Sequence, residues 1–128
     1  MDYTMNRVFP NADFDEVDAR VRNALAAQGF GVLTEIDVAA TMKKKLNQDM
    51  APYRILGACN PTIAFRALGA EPRVGAMLPC NVILRSVEGA VEVSAIDPVA
   101  SMMAIENEDL KSAAGEVREK LRQAVEAA

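Results

Sequence analysis

Five times along this chain an Asp or Asn stands where an extended or irregular stretch gives way to a helical pattern. The positions are Asp13, Asp37, Asn60, Asp97 and Asn107. Short polar side chains accept hydrogen bonds from the free N–H groups of a helix's first turn, so these residues mark helix starts. Two of the five are followed at once by proline, Pro61 and Pro98, whose fixed φ and missing N–H suit the first helical position. Punctuation at this spacing leaves room only for short strands alternating with helices. With 128 residues the chain reads as a single domain, 1–128, long enough to bury a core without metal or disulfide staples.

The segments between these marks can be read in turn. Tyr3 to Phe9 is expected as a first strand. Asp13 to Gln28 carries Phe14, Val17, Val21 and Leu25 at three- and four-residue steps, one apolar stripe on a helix. Glu16 lies three residues after the Asp13 cap, and Gly29 supplies a left-handed stop with Phe30 placed to pack behind it. Gly31 to Ile36 is a second strand. Val38 to about Asn47 is a short helix with Val38, Met42 and Leu46 on its buried side and Lys43, Lys44 and Lys45 mostly facing solvent. Pro52 to Ala58 is a third strand, followed by a helix that stops at Gly69.

Val74 to Leu78 and Asn81 to Val87 read as two apolar strands interrupted at Pro79-Cys80. Glu88-Gly89 turns the chain into Val91 to Ile96, a hairpin with alternating apolar and polar residues. A helical segment opens at Asp97-Pro98, and a long terminal helix carries Leu110, Ala114, Val117, Leu121 and Val125 as its stripe. The expected fold is α+β, in the order β-α-β-α-β-α-β-β-β-α. Its sheet is largely antiparallel, of about six strands, with helices packed on one face. Thr34-Glu35-Ile36-Asp37 and Ser94-Ala95-Ile96-Asp97 each place a hydroxyl and then Ile-Asp at a strand end entering a helix, an echo compatible with duplication.

Composition removes several functional classes. The chain has no histidine, hence no imidazole base, no Ser-His-Asp triad and no imidazole metal ligand. Net charge is −4 and Lys43–Lys45 is the one basic run, a poor match for phosphate-rich partners, so no nucleic acid is expected. No apolar run is long enough to span a bilayer, and the first ten residues do not resemble a leader. A cytoplasmic protein without a membrane partner is the expectation.

What remains is a pair of thiols. Cys59 and Cys80 are the only cysteines, each is followed by Asn, and each has a proline beside the Cys-Asn pair. In a reducing compartment both are thiols by default. Cys59 directly precedes the helix that Asn60-Pro61 opens, where free amides and the helix dipole favour a thiolate. Cys80 lies where two strands meet, and if those neighbour the third strand the two sulfurs could face each other. Asn60 is first of all a cap, as are Asp37 and Asp97, and Asn81 could tie down backbone at the strand break. Glu35 lies beside Asp37 and could bring a second carboxylate to the same sheet edge as the thiols, forming a pocket. Arg54, in an apolar strand, either faces solvent or pairs with a carboxylate such as Glu35. The paired arrangement would suit a carboxylate or phosphate ligand. Met102 and Met103 either fill the core or line a binding surface.

The segments Thr34-Glu35-Ile36-Asp37-Val38, Tyr53 to Pro61 (YRILGACNP), Leu78-Pro79-Cys80-Asn81-Val82 and Ser94-Ala95-Ile96-Asp97-Pro98 resemble the signatures of the domain of unknown function 302 family. The resemblance spans nearly the whole chain. It implies an α+β domain similar to the TATA-binding-protein-like fold class, with a tendency to dimerise. It implies no activity, substrate or cofactor, and shared architecture brings no DNA binding with it.

Three readings follow. The leading one is a module binding a small ligand, metal or cofactor at Cys59/Cys80, with Asn60, Asn81, Glu35, Arg54 and Asp37 around it; neither metal nor cofactor is identified. The second is a thiol oxidoreductase or transferase with Cys59 as attacking thiolate and Cys80 as resolving partner. The third is a structural homodimer with inert thiols. A homodimer is expected in any case, because a small open sheet has edges to cover.

Overall fold

Residues 2–128 are described by the computed structural model. β1 (Thr4–Pro10) is followed by α1 (Phe14–Ala27), β2 (Gly31–Asp37), α2 (Val38–Leu46), β3 (Tyr53–Cys59) and α3 (Pro61–Ala70). A 3-10 turn over Pro72–Met77 leads into β4 (Cys80–Val87) and β5 (Ala90–Ile96). The one-turn α4 (Pro98–Ser101) and the long α5 (Glu108–Ala127) close the described chain. The strands form one five-stranded sheet in the order β1-β5-β4-β3-β2, antiparallel at every pairing. Helices pack on one side of it, so the α+β expectation holds with one strand fewer.

The missing strand is the apolar run from Val74. Pro72 takes the first position of the 3-10 turn and the Glu71 side chain accepts from the Arg73 N–H at 3.2 Å. Val74 is fully buried, but it fills a helical cluster, not a sheet. A short apolar run has no periodicity to tell these cases apart.

Every helix start marked in the sequence is a cap. Asp13 accepts from Glu16, Asp37 from Ala40, Asn60 from Ile63, Asp97 from Val99 and Asn107 from Leu110, at 2.9–3.2 Å. At the other end of α1, Gly29 has φ +84°, and Phe30 N–H donates to Leu25 O while Gly29 N–H donates to Ala26 O, each at 3.0 Å. Those two bonds define a Schellman stop, and Phe30 joins Leu25 in the core behind it.

The main core lies between the sheet's helix side and α1 with the second half of α5. Phe9, Leu56, Val82, Leu84, Val91 and Val93 meet Val17, Val21, Leu25 and Leu121 there. A second cluster joins α3, the 3-10 turn and the first half of α5 through Ile63, Ala67, Val74, Met102 and Leu110. Leu78 and Val117 pack against both.

Arg7 shares the core side of β1 with Met5 and Phe9 and clasps the end of α5. Its Nη1 lies 3.1, 2.7 and 2.9 Å from the carbonyls of Val125, Glu126 and Ala128. Arg20 of α1 reaches the Ala128 carbonyl at 3.1 Å, and both guanidiniums stand over the Phe9 ring. Cations at a helix C-terminus satisfy its orphan carbonyls and oppose the negative dipole end.

α2 departs from expectation. Its stripe of Val38, Met42 and Leu46 exists, but no residue of the helix is buried, and Leu46 is 63% exposed. Apolar spacing specifies which residues share a side, and the neighbouring β3 covers that side only in part. On the sheet's helix-free side, register places Ile36, Ile55 and Ile83 in one lateral row, with Ile36 exposed.

Candidate functional site

β3 runs into Cys59 and β4 starts at Cys80, so both thiols lie at one end of adjacent central strands. Register pairs Ala58 with Cys80, placing Cys59 one step beyond, opposite Gly31 of β2. The geometry is fixed from three sides. Asn60 accepts from the Ile63 N–H at 3.2 Å and donates through Nδ2 to the Gln28 carbonyl at 3.3 Å, tying α3 to the α1–β2 turn. The Leu78–Pro79 peptide is cis. Gly57 faces Asn81 across the ladder, and a Cβ there would run into the Thr34 hydroxyl and the Pro79 ring.

Both cysteines and Asn60 line one cavity of about 30 Å³, otherwise walled by apolar side chains including Phe30, Ile63, Leu78 and Met102. That is room for a water-sized body, far below the several hundred Å³ of a typical ligand pocket. Cys80 is buried, Cys59 half-buried, and both are free thiols. Burial pushes the Cys80 thiol up to about 11, with the neighbouring Cys59 adding to the shift. A thiol held in that range is a poor nucleophile and a poor metal ligand at neutral pH.

The predicted carboxylates and arginine lie at the opposite end of the sheet. Arg54 pairs with Asp37 in the β2–β3 ladder, while Gly31 pairs with Cys59 at the far end. Cys59 lies five residue steps along β3 from Arg54, about 17 Å at roughly 3.3 Å per residue. The expected pocket of carboxylates and thiols at a single edge is therefore corrected: antiparallel pairing sends them to opposite ends.

A family profile described as "Domain of unknown function DUF302" matches residues 5–128. The chain belongs to the DUF302 family. Its fold is similar to the crystal structure of an uncharacterized conserved DUF302 protein from Bacillus stearothermophilus. The TM-score is 0.92 and the identity 24%, over 99% of this chain and 98% of that one. No curated protein matches.

The second cluster in this DUF302 chain is an ion-pair network that sequence reasoning found only in part. Arg54 does pair with Glu35, Nε to Oε1 at 3.3 Å, and its Nη1 also meets Asp18 at 2.9 Å and Asp15 at 3.5 Å. Arg22 bonds Asp18 at 2.6 Å and Glu35 at 3.2 Å. Burial pushes the Asp18 carboxyl up, but hydrogen bonds from Arg22 and Arg54 outweigh it and hold the carboxyl below its ordinary value. Asp18 and Arg22 were missed; their spacing of four on a helix adjacent to the core stripe was the available signal. The Arg54 fork is thus occupied by protein carboxylates, with Phe14 beneath it.

Asp37 serves as the α2 cap, and Asn81 is exposed on β4. Among the described residues, no three Cys, Asp or Glu side chains come together in a way that could hold a metal ion. No described helix is long and apolar enough to cross a membrane.

Proposed function

We propose that this DUF302 domain is a cytoplasmic binding module that seats a small apolar ligand beside Cys59 and Cys80. The observation behind this reading is that Cys59 and Cys80, from separate strands, and the helix-capping Asn60 line the same cavity. The remaining wall is hydrocarbon, and an ion buried there without a partner would cost several kcal/mol. The amide of Asn60 is engaged at both its oxygen and its nitrogen, so it does not call for a polar ligand. Cys80 forms the inner wall. Neither cysteine is disulfide-bonded.

A metal site is less well supported, because it would need a third ligand and an ionised Cys80. The oxidoreductase or transferase reading retains Cys59 ahead of a ten-residue helix, but it loses its resolving partner to the raised Cys80 thiol. Homodimerisation is proposed alongside the binding role. Its support is the two edge strands, β1 and β2, together with the exposed Leu33 and Ile36 on β2 and Leu46 on α2.

Xenon tests the cavity, since enclosed apolar cavities take up such probes. Under xenon pressure, methyl resonances of Ala58, Ile63 and Ala67 should shift together, and Ala67→Leu should abolish the response. Shifts scattered over the surface, or none at these methyls, would remove the reading.

A further inference from the structure

We infer that Met102 is the gate of a two-chamber site whose ligand is an unbranched monocarboxylate. Its tail would reach the thiol cavity and its carboxylate would sit at Lys111. The inference rests on the binding role proposed above and names the ligand class.

The thiol cavity is not isolated. Between the α4 region and the first half of α5 lies a groove of about 280 Å³ lined by Val99, Met102, Met103, Leu110, Lys111 and Ala114. Met102, Leu110 and Ala114 line both spaces, so the wall between them is built from these three residues. Ala114 has no side-chain torsion with which to open, and Leu110 is branched and 1% exposed against 7% for Met102. Met102 is the adaptable member, unbranched with three rotatable bonds. Its backbone is anchored: Met102 N–H donates to Pro98 O and Ile105 N–H to Met102 O, each at 3.0 Å. The side chain can therefore swing while the main chain stays in place.

Chamber sizes and charge then define the occupant. The inner space alone is too small for an organic ligand, whereas the outer groove approaches the lower end of ordinary ligand pockets. An opening made by moving one side chain would admit an unbranched chain and stop a ring or a branched tail. Lys111 is the sole charged residue lining either space. Its nearest partner, Glu108, is 3.7 Å away on the same exposed helix turn, and such a pair is worth little. A ligand carboxylate can therefore take that ammonium at small cost, while its hydrocarbon tail matches the rest of the wall.

Octanoate is the probe, followed by methyl and amide NMR on the full chain. Octanoate should perturb Met103 and Lys111 in the groove and, at the same midpoint, Ala58 and Ile63 in the cavity. Lys111→Met should weaken binding about fivefold, the scale of an exposed ion pair, and octylamine should bind worse than octanoate. Met102→Phe should keep the groove shifts and lose those of Ala58 and Ile63; Met102→Leu serves as the folding control. Perturbation of the groove alone in the native protein would overturn the gate. Equal binding of octylamine would overturn the carboxylate assignment. No octanoate binding in a protein that still takes up xenon would overturn this inference and leave the cavity reading standing; failure of both probes would overturn both.

Discussion

Gly57 on β3 lies so close to Pro79 that a Cβ built on the glycine would be 2.7 Å from the proline Cγ. The Thr34 hydroxyl closes the same space from β2. Gly57→Ala should therefore cost about 1–3 kcal/mol, the usual range for overpacking. The check is a lower urea midpoint with an unchanged m-value. Adding Thr34→Ala should restore part of the loss, and a wild-type midpoint for the single variant would show that the strands can part.

Alkaline pH should weaken the fold through Cys80. Its thiol is raised from 9.0 to about 11 in the folded state, so the unfolded chain gives up a proton that the native protein keeps. The contribution is full below about pH 9 and declines as pH rises toward about 11, by about 3 kcal/mol in all. Urea unfolding between pH 8 and 11 should show a steeper decline for wild type than for Cys80→Ala. Parallel curves would mean that the thiol is reached by water. At pH 8 a thiol reagent should label Cys59 in the folded protein and leave Cys80 until unfolding.

The acid limb should belong in part to Asp18. Its carboxyl lies below the ordinary 3.8 in the folded state. The stabilisation is therefore present above that value and disappears as pH falls through the folded one. Asp18→Asn should lose about 1–3 kcal/mol near neutrality, because Arg22 and Arg54 lose their shared, mostly buried acceptor. It should also flatten the decline below pH 4. An acid limb identical to wild type would assign the acid sensitivity to other carboxylates.

Arg7→Met should fray the end of α5. The substitution preserves the apolar stem beside Phe9 but removes the donor that meets three carbonyls. A loss of about 2 kcal/mol is expected, with faster amide exchange confined to the last turn around Val125. Unchanged exchange there would make the clasp ornamental.

Light scattering at micromolar concentration should report a dimer, and Leu33→Asp on the exposed edge strand should shift it to monomer. A wild-type monomer would leave the β2 edge uncovered.

Much of the architecture is legible from residue pattern because helix starts and stops are local chemistry. The caps at Asp13 and Asn60 and the glycine stop at Gly29 need only their own neighbours to be recognised. What the pattern could not reveal depends on partners distant in sequence. The stripe Val38-Met42-Leu46 identifies one side of α2 but not that this side stays largely exposed. The apolar run from Val74 looks the same whether it pairs with a strand or plugs a helical cluster. The candidate site divides the same way. Cys59 and Cys80 were expected at strand ends and do share a cavity. Glu35, Asp37 and Arg54 went to the other end because strand direction, which no local motif encodes, decides it.

The placement of β1 has a bearing on biosynthesis. Its ladder partner is β5 and its clasp is made with α5, so the strand depends on segments translated well after it. Thr4–Pro10 must wait on the ribosome with Phe9 uncovered until residues 90–96 emerge, a period in which an unpaired strand is open to wrong partners. The growing chain is thus most open to misassociation in the interval between the emergence of β1 and that of β5.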